Sequence, residues 1–373
     1  MSFKKLTALI ICVLLLVSTV SGCGSKGKTN EENNDTAKKT EDAEKKTDDE
    51  VLMIINGKEI TSKEFKYFLT YYKSDLESVK GEITDWSTEI SEGYTYKDYV
   101  LSGAYEWFRY AAAMRMQAER AGAAMTDEDR EELESQWQEL CNNYGGEDIL
   151  LSKLAEEGCS KEIYMYILET AYISDKCFIT MFGKDGSKLS DSDCKEQIAD
   201  DGYYMAKHIL LLTTKTSADG KDTEMTDDEK AEVYKKMQGF IEELDNTLPE
   251  EVEAKFDELM NEYSEDPGSA AYPGGYLFRE GDMVGEFYDT AAALEIGKYS
   301  GIVETNYGYH IILRIPIDFD TVPTSYQQYG YTLRYLVADQ MFGANVTSCI
   351  ERLEITKDID PETFDIEAIF AVG

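Results

Sequence analysis

Residues 263–315 read YSEDPGSAAYPGGYLFREGDMVGEFYDTAAALEIGKYSGIVETNYGYHIILRI, and the fold turns on how they meet YYMAKHILLL at 203–212. The protein has only two histidines, and each of these stretches holds one: His208 in the earlier run, His310 in the later. Both sit in apolar sequence of strand character. A histidine inside such a run is more often a packed core residue than a working one, because its burial preference is only intermediate. Two of them in strand-like surroundings suggest that they share one site.

The segments between follow from local chemistry. Met205–Leu212 reads as a strand, and the polar stretch 217–225 as a solvent loop. Thr226 followed by Asp227, Asp228 and Glu229 starts a helix, since carboxylates favour the positive end of the helix dipole. Val233, Met237, Phe240, Ile241 and Leu244 form its apolar face. A second helix is expected over 250–262, with Val252, Phe256, Leu259 and Met260 inward. Turn residues crowd 264–275, a short helix lies within 283–294, and Val303 and His310–Ile315 supply closing strands. The order is α+β.

These landmarks resemble the parvulin (rotamase) family of peptidyl-prolyl cis-trans isomerases over about 203–317. The matching residues come in the family's order: KHILL, then Tyr263-Ser264-Glu265-Asp266, Gly274-Gly275, Met283 with Phe287, and Gly308-Tyr309-His310-Ile311-Ile312. The resemblance implies a small four-stranded antiparallel sheet (FKBP-like) with surrounding helices. It also implies an apolar slot for a proline ring from Met283, Phe287 and Phe278. His208, His310 and Asp266 would form the polar floor, with Tyr307 offering a hydroxyl. Where the family commonly continues Gly-Gly with D-L-G-W-F, this chain is two residues shorter and reads Tyr276-Leu277-Phe278. With Asp at 266 there is no thiol candidate for covalent catalysis, and neither cofactor nor metal is called for.

The amino-terminal region has another character. Lys4 and Lys5 precede an apolar run from Leu6 to Val17, which is a signal-peptide pattern too short for a spanning helix. Val20-Ser21-Gly22-Cys23 resembles a bacterial lipobox, implying cleavage before Cys23 and lipid attachment to it. Residues 24–50 lack large apolar side chains and read as a disordered tether.

From Val51 the chain turns globular: VLMII, Asn56-Gly57 and KEIT read as strand and turn, and Thr61 or Ser62 caps a helix. Further helices are expected near 96–122, 126–144, 146–157, 160–182 and 190–200. The opening resembles the chaperone module of PrsA-type and SurA-type foldases. Ser325–Leu353 reads as helical, and the tail is expected to pack back on the helical domain. The expected organisation is a leader over 1–22, tether 23–50, helical chaperone domain 51–202, parvulin domain 203–317 and carboxy-terminal segment 318–373.

A net charge of −37 disfavours nucleic acid, whose phosphates call for Lys and Arg, and disfavours lying flat on anionic lipid. Cys141, Cys159, Cys177, Cys194 and Cys349 form no C-x-x-C pair, and two histidines do not suggest a structural zinc site. The expected partners are unfolded or partly folded secreted proteins with X-Pro bonds, and the membrane through Cys23; a homodimer is left open. Three readings stand at this point: an isomerase foldase, a holdase without turnover, and a solute-binding or adhesion lipoprotein.

Overall fold

Five of the helices begin with a reciprocal capping box. The side chains of Thr61, Thr95, Thr126, Ser190 and Thr226 accept the N–H of the residue three further on, whose carboxylate reaches back to the cap N–H. Each box satisfies two backbone donors that the helix start leaves open. The computed structural model describes residues 50–216 and 222–371. The leader, Cys23 and the tether up to residue 49 lie outside them. Two compact units are formed, with Met181 and Met341 bounding the first and Phe182–Gln340 making the second.

In the first unit, β1 (Val51–Ile55) and β2 (Lys58–Thr61) form a hairpin, followed by α1 (Ser62–Lys80). A second small hairpin, β3 (Glu89–Ser91) and β4 (Tyr94–Thr95), leads into α2 (Tyr96–Ala121). Then come α3 (Asp127–Asn143), α4 (Glu147–Glu156) and α5 (Lys161–Phe182). Phe68 stacks on Trp107 at 3.9 Å between centroids, and Phe65 and Phe108 complete that contact between α1 and α2. Gly103 permits it, because a Cβ there would stand 2.6 Å from the Tyr72 ring. Asp129 ties α3 to α5 by accepting from Lys176 and from the Tyr172 hydroxyl.

The chain returns to this unit near its end. β11 (Ile355–Lys357) adds to β1, with Ile54 opposite Lys357, making the order β11-β1-β2. Phe364 meets Phe65 edge-on, and Phe370 stacks on Trp86. The tail thus packs on the helical domain as its apolar content implies. The helix expected over Ser325–Leu353 is shorter: Thr324–Tyr326 is a single 3-10 turn, and the α-helix, α10, spans Leu333–Ile350. Gly330 at φ 67° and the bonds from Leu333 and Arg334 N–H back to Thr321 and Phe319 hold the intervening stretch out of helical form.

The second unit contains α6 (Asp191–Gln197), then β5 (Tyr204–Leu212) and a hairpin of β6 (Thr214–Thr216) with β7 (Asp222–Glu224). Part of the stretch expected as a polar loop over 217–225 is therefore paired strand. Next are α7 (Asp227–Asp245), α8 (Val252–Tyr263), β8 (Tyr276–Phe278), α9 (Gly285–Ala293), β9 (Val303–Glu304) and β10 (Gly308–Ile315). The sheet is antiparallel in the order β8-β5-β10-β9. With the two short sheets, this gives the α+β class. Alternation along β5 divides the sheet. Lys207 faces α8, paired with Glu253 and Asp257, while Ala206 and His208 face α9 and its Phe287.

Among the described residues no helix is long and apolar enough to cross a membrane. The five cysteines of the described residues are buried free thiols.

Candidate functional site

Register brings the two histidines together. In the β5–β10 ladder His208 lies opposite Ile312 and His310 opposite Leu210. The two are thus diagonal neighbours on one face of adjacent strands, close enough for side chains to meet. Their ring centroids are 5.3 Å apart and the planes nearly perpendicular. Both are buried.

The 263–266 turn is sewn onto β5 where β8 has ended. Ser264 Oγ accepts the N–H of Leu210, Glu265 N–H donates to the Leu210 carbonyl, and the Glu265 carboxylate accepts the N–H of Leu212. These bonds place Asp266 beside His208, whose Nε2 stands 3.3 Å from Asp266 Oδ2. That approach is ion-pair close, but His208 Nε2 still makes no geometric hydrogen bond. Asp266 accepts the N–H of Gly268 at 3.0 Å and the Tyr276 hydroxyl at 2.6 Å. A Cβ at residue 268 would lie 2.1 Å from the Tyr276 oxygen, so a larger residue there would displace that hydroxyl from Asp266. Burial alone would raise the Asp266 carboxyl, but His208, Tyr276 and the Gly268 N–H outweigh it and bring it down to about 2. Burial, with the same carboxylate, pushes the Tyr276 phenol well above its ordinary range.

His310 Nε2 lies 2.8 Å from Thr305 Oγ1, which also accepts the N–H of Tyr307. The Thr305 hydroxyl has one proton to donate, and we assign it to Nε2, which puts the ring proton on Nδ1. Burial, together with His208, lowers His310 to about 4, against the pull of Asp266. It is a neutral imidazole at neutral pH. His208 Nδ1, His208 Nε2 and His310 Nδ1 are buried with no hydrogen-bond partner among the described residues. Asp266 answers His208 Nε2 by its charge, so the two nitrogens without any partner, His208 Nδ1 and His310 Nδ1, mark a site that holds a polar group of something else.

Beside them is an apolar wall. Phe287 meets both imidazoles edge-on, at 5.2 and 5.8 Å, and Phe278 packs against Phe287 at 5.6 Å. Met283 is half-buried against the same cluster. Tyr276 stacks parallel on His208 at 5.4 Å, with Tyr272 behind it at 4.2 Å. Of the residues expected here, His208, His310, Asp266, Met283, Phe287 and Phe278 come together. Tyr307 does not: its side chain is 55% exposed and only its backbone N–H reaches the network. Thr305, Tyr276 and Tyr272 were not singled out from the sequence. The one signal for Tyr276 was the shortened segment after Gly275, which puts an aromatic residue on β8 next to β5. Among the described residues no cluster of metal-ligating side chains is present.

The chain is similar to known proteins over this region. Residues 208–315 match the family model described as "Rotamase: PPIC-type PPIASE domain". The chain is 26% identical over 242 residues to the foldase protein PrsA of Staphylococcus aureus (strain MRSA252), covering 64% of this chain and 67% of that one. It is also similar to the crystal structure of PrsA from Bacillus subtilis, with 20% identity, a TM-score of 0.24, and 72% and 92% of the two chains covered. The histidine pair and its apolar wall thus lie within the region that matches the PPIC-type peptidyl-prolyl isomerase domain, in a chain that is similar to PrsA foldases.

Proposed function

We propose that the chain catalyses cis-trans isomerisation of X-Pro bonds in unfolded secreted proteins, and that the pair His208 and His310 beside Phe287 is where it happens. The single observation carrying this reading is the pair of buried imidazole nitrogens without a partner, His208 Nδ1 and His310 Nδ1, against an apolar wall. Amide resonance sets a barrier of about 18–20 kcal/mol, and no bond has to break. A catalyst need only hold the twisted amide better than either planar form. Phe287, Met283 and Phe278 grip the proline ring, and the imidazoles and Asp266 receive the polar atoms of the twisted amide. His310, neutral, supplies a donor at Nδ1 without the cost of burying a charge.

In this reading residues 51–202 form the chaperone domain, 203–317 the isomerase and 318–373 the returning segment. The protein is held on the extracytoplasmic face of the membrane through lipidated Cys23. Replacement of Cys23 by Ser should release it from the membrane fraction and abolish palmitate labelling.

A second reading has its own observation. Tyr276 lies flat over His208 and is bonded to Asp266, so the polar floor is partly covered. A chain that binds clients without turning over X-Pro bonds would keep such a lid. NMR exchange on a short X-Pro peptide with the full chain separates the two. Acceleration lost in His310→Gln establishes the isomerase, whereas no acceleration across a panel of residues before proline, with client aggregation still suppressed, establishes the holdase.

A further inference from the structure

The catalytic face of the sheet has another end. Arg314 follows His310 by four residues on β10, so it shares that face and lies about 13 Å along the strand. Its Nη1 donates to the Ala291 carbonyl of α9, and its guanidinium stands 4.2 Å over the Tyr204 ring. Its Nε is buried without a hydrogen-bond partner. The protein has 74 acidic residues against 37 basic ones, so carboxylates are plentiful. Arg115 and Arg334 both hold carboxylates. Among the described residues none stands within ion-pair distance of Arg314. Burial lowers its basicity, the expected cost of a cation without a counter-charge.

Arg314 lines a cavity of about 350 Å³ whose other walls include Ile198, Tyr203, Ile317 and Phe319, with the exposed Ile296 at its rim. That volume is at the small end of the roughly 300–1,000 Å³ typical of ligand sites. Lys195 is a second cation on the wall, and no acidic residue contributes to it. An apolar hollow with one desolvated guanidinium selects a ligand with an apolar body and a single carboxylate.

We propose that this cavity binds a short apolar carboxylate through Arg314, at a site separate from the histidine pair. Two sources share that chemistry, the free carboxy terminus of an apolar peptide and a short free fatty acid.

Calorimetric titration of the full chain with acetyl-Phe-Ile as the free acid, the same dipeptide as its amide, and octanoate tests this without reference to isomerase turnover. The acid should bind about tenfold more tightly than the amide, as a charge-assisted bond to a desolvated guanidinium requires. Arg314→Gln, which can still donate to Ala291, should erase that ratio. Ile296→Asp, at an exposed position that leaves the core untouched, should weaken the acid and spare the amide. Octanoate matching the dipeptide acid points to free apolar acids, and clear preference for the dipeptide points to chain termini. Equal binding of acid and amide, no binding of either acid, or an unchanged ratio in Arg314→Gln with an unaltered melting curve overturns the proposal.

Discussion

Asp129 and Asp266 are two carboxylates, one buried and one half-buried, that their neighbours hold down alike and that differ in what surrounds them. Asp129, between α3 and α5, accepts from Lys176, the Tyr172 hydroxyl and the Thr126 cap, all of which hold it well below the usual carboxylate range. Asp266, in the turn before β8, accepts from Tyr276 and Gly268 beside His208 and is held down at about 2. What separates them is the company. Around Asp129 every named donor is answered and the cluster is closed. Around Asp266 two imidazole nitrogens, His208 Nδ1 and His310 Nδ1, are left open. A depressed carboxylate is thus a mark of structure as often as of function, and the unanswered groups next to it tell which.

The largest test acts on the apolar wall that makes the second cluster possible. Phe287→Ala empties a fully buried site and should lower stability by about 3–5 kcal/mol, measured by urea denaturation. Next, Asp129→Asn should lower stability by about 2 kcal/mol or more, since it weakens a cap and a charged hydrogen bond together, while leaving X-Pro exchange unchanged. Asp266→Asn should do the reverse, slowing exchange by roughly tenfold or more with a smaller change in stability. If Asp129→Asn were the variant that slowed exchange, the contrast between the two carboxylates would collapse.

The contrast also has a pH signature. His310, at about 4 in the folded protein, is lowered from about 6.5 in the unfolded chain. Between those values the unfolded chain takes up a proton that the folded one refuses. Stability therefore falls as pH drops through that window, at up to about 1.4 kcal/mol per pH unit, and is fully present above it. Asp266 acts lower down, its contribution being present above about 4 and lost as pH falls toward 2. His310→Gln should flatten the upper window of a pH-dependent unfolding series and leave the lower one. Smallest of all, Tyr307→Phe should change stability by no more than about 0.5 kcal/mol and leave exchange as it was, because that hydroxyl is at the surface.

Much of the second cluster was legible because it is written in short words. KHILL and GYHII announce strands by composition, and each places its histidine at a fixed phase of the alternation. The turn residues 263–266 and the pair Met283 and Phe287 follow at intervals short enough to read. Tyr276 was not legible in this way. Its role depends on β8 pairing with the Tyr204–Ala206 end of β5, some seventy positions earlier, and on Gly268 leaving room for its hydroxyl. Thr305 was hidden for a similar reason, as nothing in its own neighbours says that it will face His310. The same distance problem hid β11, a three-residue strand whose partner lies about three hundred positions away. Where the sequence misled, over 325–332, apolar spacing was read as helix while a glycine and long-range backbone bonds decided otherwise.

The pairing of β1 with β11 bears on how such a chain is born. The isomerase region is continuous, and its strands find one another within about a hundred residues. The helical unit cannot finish its own sheet until Lys357 reaches Ile54. If the chain emerges through a membrane amino terminus first, its folding catalyst is complete while the surrounding unit still waits for its last strand, because closing so long a loop is the slow and late step. A foldase laid out in this order would have its own isomerase at hand while the rest of it was still being made.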